Sequence, residues 1–304
     1  MLFFVLSGYV LSRSLSGPQL DLKRIGEFYV ARAFRIYPAL WLACAIGLTY
    51  LAFLHFKIPT LHFSNWYVSF FQSFPSPDKI LVNFTLGKEP AAIVPPSWSI
   101  FVEMIGSLAL PAFVIANREK LGIWLFVLLV GLAAIASSNP KIGYLIYLPS
   151  FSIGALAFRY HDRLKPYFAN LPVLILCLVV VQFFRLLSPD WRFEQKYVAF
   201  PPALVESIFA AGVVLCVAVR PVAFLRNPFL VWLGDISYSL YLIHFILMSA
   251  LAKFIGTLQA PVDVLAVALM LATFAASIPL AWLAYSFIEK PGIALGKKLI
   301  GTMK

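Results

Sequence analysis

Two arginines, Arg32 and Arg35, lie three residues apart in the segment ARAFRIYP, directly before a long apolar run. If this segment is helical, residues at that spacing share one face. Two guanidinium groups on one face can bind phosphate bidentately, which suits a nucleotide-like or pyrophosphate ligand. The alternative is that both side chains anchor a membrane helix by reaching lipid headgroups.

A carboxylate, Glu103, follows Trp98 and Ser99 by about a turn and a half in PPSWSIFVEM, inside an apolar run. A charged side chain in hydrocarbon costs on the order of 2.5–3.5 kcal/mol on insertion scales, so Glu103 should face the helix bundle or a wet cavity. There it is a candidate to accept or donate a proton in catalysis. A structural hydrogen bond between helices is the alternative.

Polar residues also interrupt the apolar run that contains GDISYSLYLIHF. Ser237, Tyr241 and His244 recur at helical spacing, and Asp235 and Tyr238 lie beside them. Such a stripe lines a cavity, a proton path or a helix interface. His244 is a candidate catalytic group, with a structural hydrogen bond as the alternative, and Tyr238 and Tyr241 are expected to line the cavity.

Two further segments contain candidate residues. Ser7 and Gly8 in FFVLSGYV predict close helix packing, because glycine lets two backbones approach. In FIEKPG, Glu289 and Lys290 are predicted to form a local ion pair where the last apolar run ends, with Pro291 ending the helix. The three cysteines lie inside apolar runs without metal-ligand spacing, so no metal site is expected.

Composition identifies the elements that must position these residues. Of 304 residues, 62% are apolar and 12% are charged, whereas soluble domains average about 45–50% and about 25%. So little polar surface excludes a soluble globule and indicates an integral membrane protein. The net charge of +11 would suggest nucleic acid in a soluble protein, but here the basic residues lie in short loops between apolar runs, as topology signals do.

Eight apolar runs approach the length of a membrane span, and their length without period-2 alternation predicts helices. We therefore expect an all-α, polytopic transmembrane bundle that forms one domain over residues 1–304, with no separate soluble domain. The runs are Ile36–Leu54, Trp98–Ala116, Leu121–Ala136, Ile142–Phe158, Leu171–Leu187, Pro202–Val219, Phe229–Leu251 and Val262–Ile288.

The basic residues predict the orientation. When the loops are assigned alternately to two sides, sixteen of the 24 Lys and Arg residues, Arg32 and Arg35 included, lie on one side. That side is predicted to be cytoplasmic, together with the C-terminus. The 42-residue connection from His55 to Pro96 and the polar loop 188–199 are then expected outside.

A ninth apolar run, Met1–Leu11, is short. Its 11 residues cover roughly 17 Å of the ~30 Å that a span requires. A signal peptide would need basic residues before its apolar core, and here they follow it. The expectation is therefore that an upstream segment is missing, that nine spans are present, and that the full bundle has ten.

Five segments in this order, FFVLSGYV, RAFRIYPALW, PPSWSIFVEM, LGDISYSLYLIH and FIEKP, resemble the integral-membrane acyltransferase 3 family. The resemblance implies a ten-helix enzyme that takes an acyl group, usually acetyl, from coenzyme A on the cytoplasmic side. The acceptor would be a hydroxyl group of a carbohydrate or another cell-envelope molecule, and the membrane would be the bacterial inner membrane. Acyl-CoA would be a substrate, with no permanently bound cofactor and no nucleic-acid partner; the oligomeric state is not implied.

The resemblance also implies roles for matching residues. Arg32 and Arg35 would meet the coenzyme A phosphates, while Trp98 and Glu103 would line the cavity. Further motif positions, with roles that are less defined, are Ser7, Tyr241, His244 and Glu289. Together with Trp98, Tyr238 and Tyr241, the residues Ser7, Ser99 and Glu289 are expected to line the cavity.

One departure concerns the catalytic base. The family normally has a histidine on a first helix that precedes this sequence, and none of the four histidines, His55, His62, His161 and His244, occupies its place. Either the start is wrongly assigned, or the chain as given is inactive or a noncatalytic scaffold. The base is assigned to that upstream histidine and proton handling to Glu103, with His244 as a substitute.

A transporter or flippase is the alternative function, since intramembrane Glu, His and Asp also form proton pathways. It predicts inverted internal repeats, and the motifs of one half do not recur in the other. The sequence therefore favours the enzyme.

Overall fold

The computed structural model describes residues 1–17, 20–55, 73–88, 92–139, 141–187, 200–220 and 222–302. Within these ranges every regular element is helical, which confirms the all-α prediction. The polar loop 188–199, His62 and much of the predicted outer connection lie outside the described residues.

Twelve α-helices are described, and short 3₁₀ or π turns join some of them. The α-helices are α1 Leu2–Ser14, α2 Leu22–Tyr50, α3 Pro77–Thr85, α4 Ser97–Arg118, α5 Gly122–Ser137, α6 Leu148–Arg159, α7 His161–Phe168, α8 Leu171–Leu187, α9 Phe200–Val219, α10 Pro228–Ile255, α11 Val262–Ala284 and α12 Lys290–Thr302. The π turns are Leu51–His55, which follows α2, and Tyr285–Glu289, which joins α11 to α12.

Five helical segments in the described part of the chain are long and apolar enough to cross a membrane. A sixth span results if α7 and α8, which meet at 96°, together form one broken span. The predicted runs at Leu121–Ala136 and Met1–Leu11 correspond to helices of only 16 and 13 residues. The chain is thus a multi-pass membrane protein in which several helices are shorter than the bilayer is thick.

The described residues form two compact units. Unit 1 contains Met1–Phe28 and Val102–Leu225, and unit 2 contains Tyr29–Phe101 and Arg226–Lys304. The organisation as one domain over residues 1–304 stays a prediction.

In unit 1, α1 and α6 cross at two glycines. A Cβ atom on Gly8 would overlap the backbone carbonyl oxygen of Phe151, and one on Gly154 would overlap that of Val5. The two backbones are therefore in direct contact, as expected from the small residues at Ser7 and Gly8. Val5 and Phe151 are fully buried at this crossing.

In unit 2, α2 and α10 run parallel. The Tyr238 hydroxyl donates to the Ile36 carbonyl at 2.9 Å near the start of the contact. Farther along both helices, a Cβ on Gly47 would lie 3.4 Å from the Ile246 side chain. The same order of contacts on both helices establishes their common direction.

The C-terminal end of helix α3 lies beside α2. The Trp41 indole N–H donates to the Phe84 carbonyl at 3.0 Å, and the Tyr37 hydroxyl donates to the Thr85 carbonyl at 3.1 Å. Trp41 precedes His55 by about 21 Å of helix, at 1.5 Å per residue. Part of the connection predicted to lie outside therefore runs beside the membrane helix, toward the level of Arg35.

The last helix continues beyond Pro291. Helix α12 begins at Lys290 and extends to Thr302, so the expectation that Pro291 ends the helix is wrong. In the π turn before it, the Lys290 N–H donates to the Tyr285 carbonyl, five residues back. A proline ring clashes with the carbonyl four residues back in a regular α-helix, and this wider turn lies directly before that position.

Helix α12 packs closely against α2. Gly292 and Gly296 lie four residues apart, and a Cβ on each would come within 2.8 Å of the Pro38 side chain and 2.7 Å of the Phe34 Cβ, respectively. Residues at this spacing lie on one helix face. The contact holds the first two turns of α12 beside the α2 turn that contains Arg35.

Candidate functional site

A buried ion pair lies in unit 2. The Glu289 side chain is 0% exposed, and its Oε1 lies 3.4 Å from Nη1 of Arg35. Its Oε2 accepts a hydrogen bond of 2.7 Å from the Ser239 hydroxyl. The carboxylate therefore connects the α11–α12 junction to both α2 and α10, and its ionic partner is Arg35 rather than the neighbouring Lys290.

The two arginines differ in exposure. The Arg35 side chain is 43% exposed, whereas Arg32, one turn earlier on α2, is buried. The helical spacing predicted from the sequence is present, because both residues lie within α2. Arg35 is the member of the pair whose guanidinium group a soluble anion can reach.

A second polar contact joins α4 to α10. The Ser99 and Tyr241 hydroxyl groups are 2.7 Å apart, and the Tyr241 hydroxyl also lies 3.3 Å from the Pro96 carbonyl. Trp98, on the adjacent position of α4, is 44% exposed. The structure therefore places Ser99 and Tyr241 in direct contact, and their role in lining a cavity stays a prediction.

The other residues of the α10 stripe are oriented differently. His244 Nδ1 lies 2.7 Å from the Tyr241 carbonyl of its own helix, and the Ser237 hydroxyl donates to the Gly234 carbonyl one turn back. The Tyr238 hydroxyl donates a hydrogen bond to the Ile36 carbonyl on α2. Ser237 and Tyr241 lie on an exposed face of α10. The buried face contains Ile236, Ser239 and Ile243.

Glu103 and Ser7 lie in unit 1. Glu103 is 8% exposed, so its carboxylate points into protein rather than toward lipid, as the cost of charge in hydrocarbon requires. Ser7 is half-buried beside the α1–α6 crossing. Their roles in proton handling and cavity lining stay predictions.

Sequence reasoning missed Ser239. The signal was present, because Ile236, Ser239, Ile243 and Ile246 are buried together on α10 at spacings of three and four. A serine within such an apolar face requires a partner. The predicted polar stripe of Ser237, Tyr241 and His244 lies on the neighbouring face of α10, beside the buried face that contains Ser239.

The described residues contain no group of three or more His, Cys, Asp and Glu side chains that could hold a metal ion. Cys44, Cys177 and Cys216 are buried thiols without disulfide partners. In unit 2, the Arg35–Glu289–Ser239 cluster and the Ser99–Tyr241 pair connect residues that the sequence analysis singled out.

Comparison with known proteins agrees with the resemblance. The chain is 25% identical over 325 residues to the peptidoglycan O-acetyltransferase OatA of Listeria monocytogenes, an alignment that covers 95% of this chain. The chain spans about half, 50%, of that relative's length. No solved structure matches the chain.

The family profile described as an acyltransferase domain matches residues 1–286, almost the whole chain. Glu289 lies just beyond the matched region. The sequence, the membrane helices and this match agree that the chain belongs to the acyltransferase 3 family of transferases.

Proposed function

We propose that this chain is a membrane O-acyltransferase. It takes an acyl group, most simply acetyl, from acyl-CoA at the cytoplasmic face and delivers it to a hydroxyl group of a cell-envelope glycan. The family match supports the reaction class. The name of the OatA relative, a peptidoglycan O-acetyltransferase, supports peptidoglycan as the first acceptor to test.

The half-exposed Arg35 guanidinium is the structural observation that carries the proposal. It is held beside a fully buried carboxylate on a helix long and apolar enough to span the membrane. Guanidinium groups bind phosphate oxygens through directed, charge-assisted hydrogen bonds. Coenzyme A has a diphosphate and a 3′-phosphate, so Arg35 is assigned to donor binding, and Arg32 supports it from the preceding turn.

The reaction itself breaks the thioester C–S bond and forms an ester C–O bond. A base takes the proton from the acceptor hydroxyl, the resulting oxygen attacks the thioester carbonyl, and coenzyme A leaves as its thiol or thiolate. We assign proton handling to the buried carboxyl of Glu103. The Ser99–Tyr241 pair offers hydroxyl groups that can orient a polar substrate.

The test is a transfer assay with the full-length protein in proteoliposomes. Labelled acetyl-CoA is supplied with purified peptidoglycan, and label in the glycan is counted before and after mild alkali, which cleaves O-acetyl esters. At acetyl-CoA concentrations below the KM, we expect alkali-labile transfer that is strongly reduced but still measurable in Arg35→Ala. Lys297→Ala is the matched control, because Lys297 is an exposed cation on α12 outside the cluster.

Binding measurements separate the enzyme from a transporter. Wild-type protein that binds labelled acetyl-CoA, with binding lost when Arg32 and Arg35 are both alanine, supports the enzyme. Wild-type protein that binds an envelope lipid but has no affinity for the thioester would refute it.

The proposed orientation has its own test. A fluorescent reporter fused to the C-terminus should be active when it is cytoplasmic, and an alkaline phosphatase fusion at the same place should be inactive. The opposite result would place Arg35 on the outer side and remove the argument for a cytoplasmic donor.

A further inference from the structure

The Glu289 carboxylate holds an unusual position for a charged group. It is 0% exposed, and it is contacted by Arg35 from α2 and by Ser239 from α10. Buried carboxylates require charged or hydrogen-bonding partners, because desolvation of the ion is costly. Glu289 therefore has one oxygen hydrogen-bonded to α10 and the other in an ionic contact with α2.

The contact with Arg35 differs from that with Ser239. Arg35 Nη1 lies 3.4 Å from Oε1, longer than the 2.7–2.9 Å that is typical of a charge-assisted hydrogen bond. Among the described residues, Oε1 has no hydrogen-bond partner. The pair is therefore an ionic contact that attracts the guanidinium group without occupying its N–H donors.

The exposure of the pair is asymmetric. Glu289 has no exposed side-chain surface, but Arg35 is 43% exposed. A guanidinium group has five N–H donors in a planar fork. With one nitrogen turned toward Glu289, the opposite edge remains accessible to a second anion.

The backbone maintains this arrangement from two sides. The π turn Tyr285–Glu289 ends at the carboxylate, and single π turns inside helices occur frequently at functional sites. Gly292 and Gly296 then pack α12 onto Phe34 and Pro38, on either side of Arg35 along α2. The ion pair and the helix contact therefore lie within about two turns of each other.

We propose that Glu289 and Ser239 are positioning residues for the acyl donor. Ser239 orients the carboxylate, and the carboxylate holds the Arg35 guanidinium with its open edge toward the phosphate groups of the donor. Neither residue touches the reacting thioester. This inference rests on the proposed function and specifies which part of the donor the cluster recognises.

The test compares two donors with the same thioester. Acetyl-CoA has the nucleotide phosphates, whereas acetyl-pantetheine has none. In the proteoliposome assay, Glu289→Gln should raise the KM for acetyl-CoA about tenfold, the size of one lost interaction with a charged group. The KM for acetyl-pantetheine and the kcat for both donors should be unchanged.

Ser239→Ala provides a second variant that retains both charges. It should raise the KM for acetyl-CoA by a smaller factor than Glu289→Gln does. If Glu289→Gln fails to fold, Ser239→Ala still tests the inference. Ser277→Ala is the matched control, because Ser277 is equally buried and its hydroxyl has no hydrogen bond within the described part of the chain. It should leave the KM for both donors unchanged.

The double variant with Arg35→Ala tests the coupling. If Glu289 acts through Arg35, adding Glu289→Gln to Arg35→Ala should raise the KM for acetyl-CoA no further. Two results would overturn the positioning role but not the proposed transferase activity. One is additive increases of the KM for acetyl-CoA in the double variant, and the other is an equal loss of transfer with both donors in folded protein. Wild-type protein that transfers acetyl from neither donor would instead refute the proposed function, and this inference with it.

Discussion

The contact between α1 and α6 gives a quantitative prediction about stability. In Gly8→Ala the new Cβ would overlap the Phe151 carbonyl oxygen and lie 2.9 Å from both its carbonyl carbon and its Cα. These are backbone atoms, so no side chain can rotate away, and the helices must separate. Overpacking of this kind costs about 1–3 kcal/mol, and we expect the upper end.

Alanine also stabilises a helix relative to glycine, by about 1 kcal/mol. The net loss expected for Gly8→Ala is therefore about 2 kcal/mol. Gly154→Ala should behave similarly, because its Cβ would overlap the Val5 carbonyl from the opposite helix.

The assay is the unfolding of the full-length protein in detergent, followed by intrinsic fluorescence during chemical denaturation. Gly131→Ala is the control, because nothing lies within 4 Å of a Cβ at Gly131 in α5. It should stabilise by about 0.5–1 kcal/mol. If Gly8→Ala and Gly131→Ala shift the midpoint equally, the backbone contact between α1 and α6 does not exist as described.

Three other substitutions test the polar contacts of unit 2. Ser239→Ala should destabilise by about 1–3 kcal/mol, because a buried carboxylate loses its hydrogen bond, whereas Ser277→Ala should be neutral or stabilising; equal unfolding midpoints would contradict this. Tyr241→Phe should reduce acyl transfer while the protein stays folded, since only the hydroxyl that contacts α4 is lost; unchanged transfer would remove Tyr241 from the site. Asn83→Ala should destabilise by about 1–3 kcal/mol, because the buried Ile93 N–H loses its acceptor, and proteolysis that stays at the wild-type rate would refute it.

The helical class and most of the helix positions were predictable from the sequence. Apolar runs without alternation allow few structures other than helices in a membrane. The spacing of Arg32 and Arg35 within one helix followed from the same pattern. The pattern could not predict the difference in their exposure, because that difference depends on tertiary packing around α2.

The pairing of Glu289 with Arg35 also could not be predicted from the sequence. Arg35 and Glu289 are 254 positions apart, and the neighbouring Lys290 offered a simpler pairing. The π turn changes the direction of the Glu289 side chain, and hydrophobic periodicity contains no signal for such a turn. The buried position of Ser239 could have been predicted, since it lies on the apolar face that the isoleucines of α10 define.

The π turn at Tyr285–Glu289 determines which face of helix α12 points toward α2. One residue corresponds to about 100° around a regular helix, so removing a single residue here would rotate Gly292 and Gly296 away from α2 or turn Glu289 away from Ser239. Composition and hydropathy would barely change in such a deletion. Except at Glu289, the length of this short stretch is therefore under stronger constraint than its side chains, and relatives of the protein should tolerate substitutions at its other positions more readily than insertions or deletions.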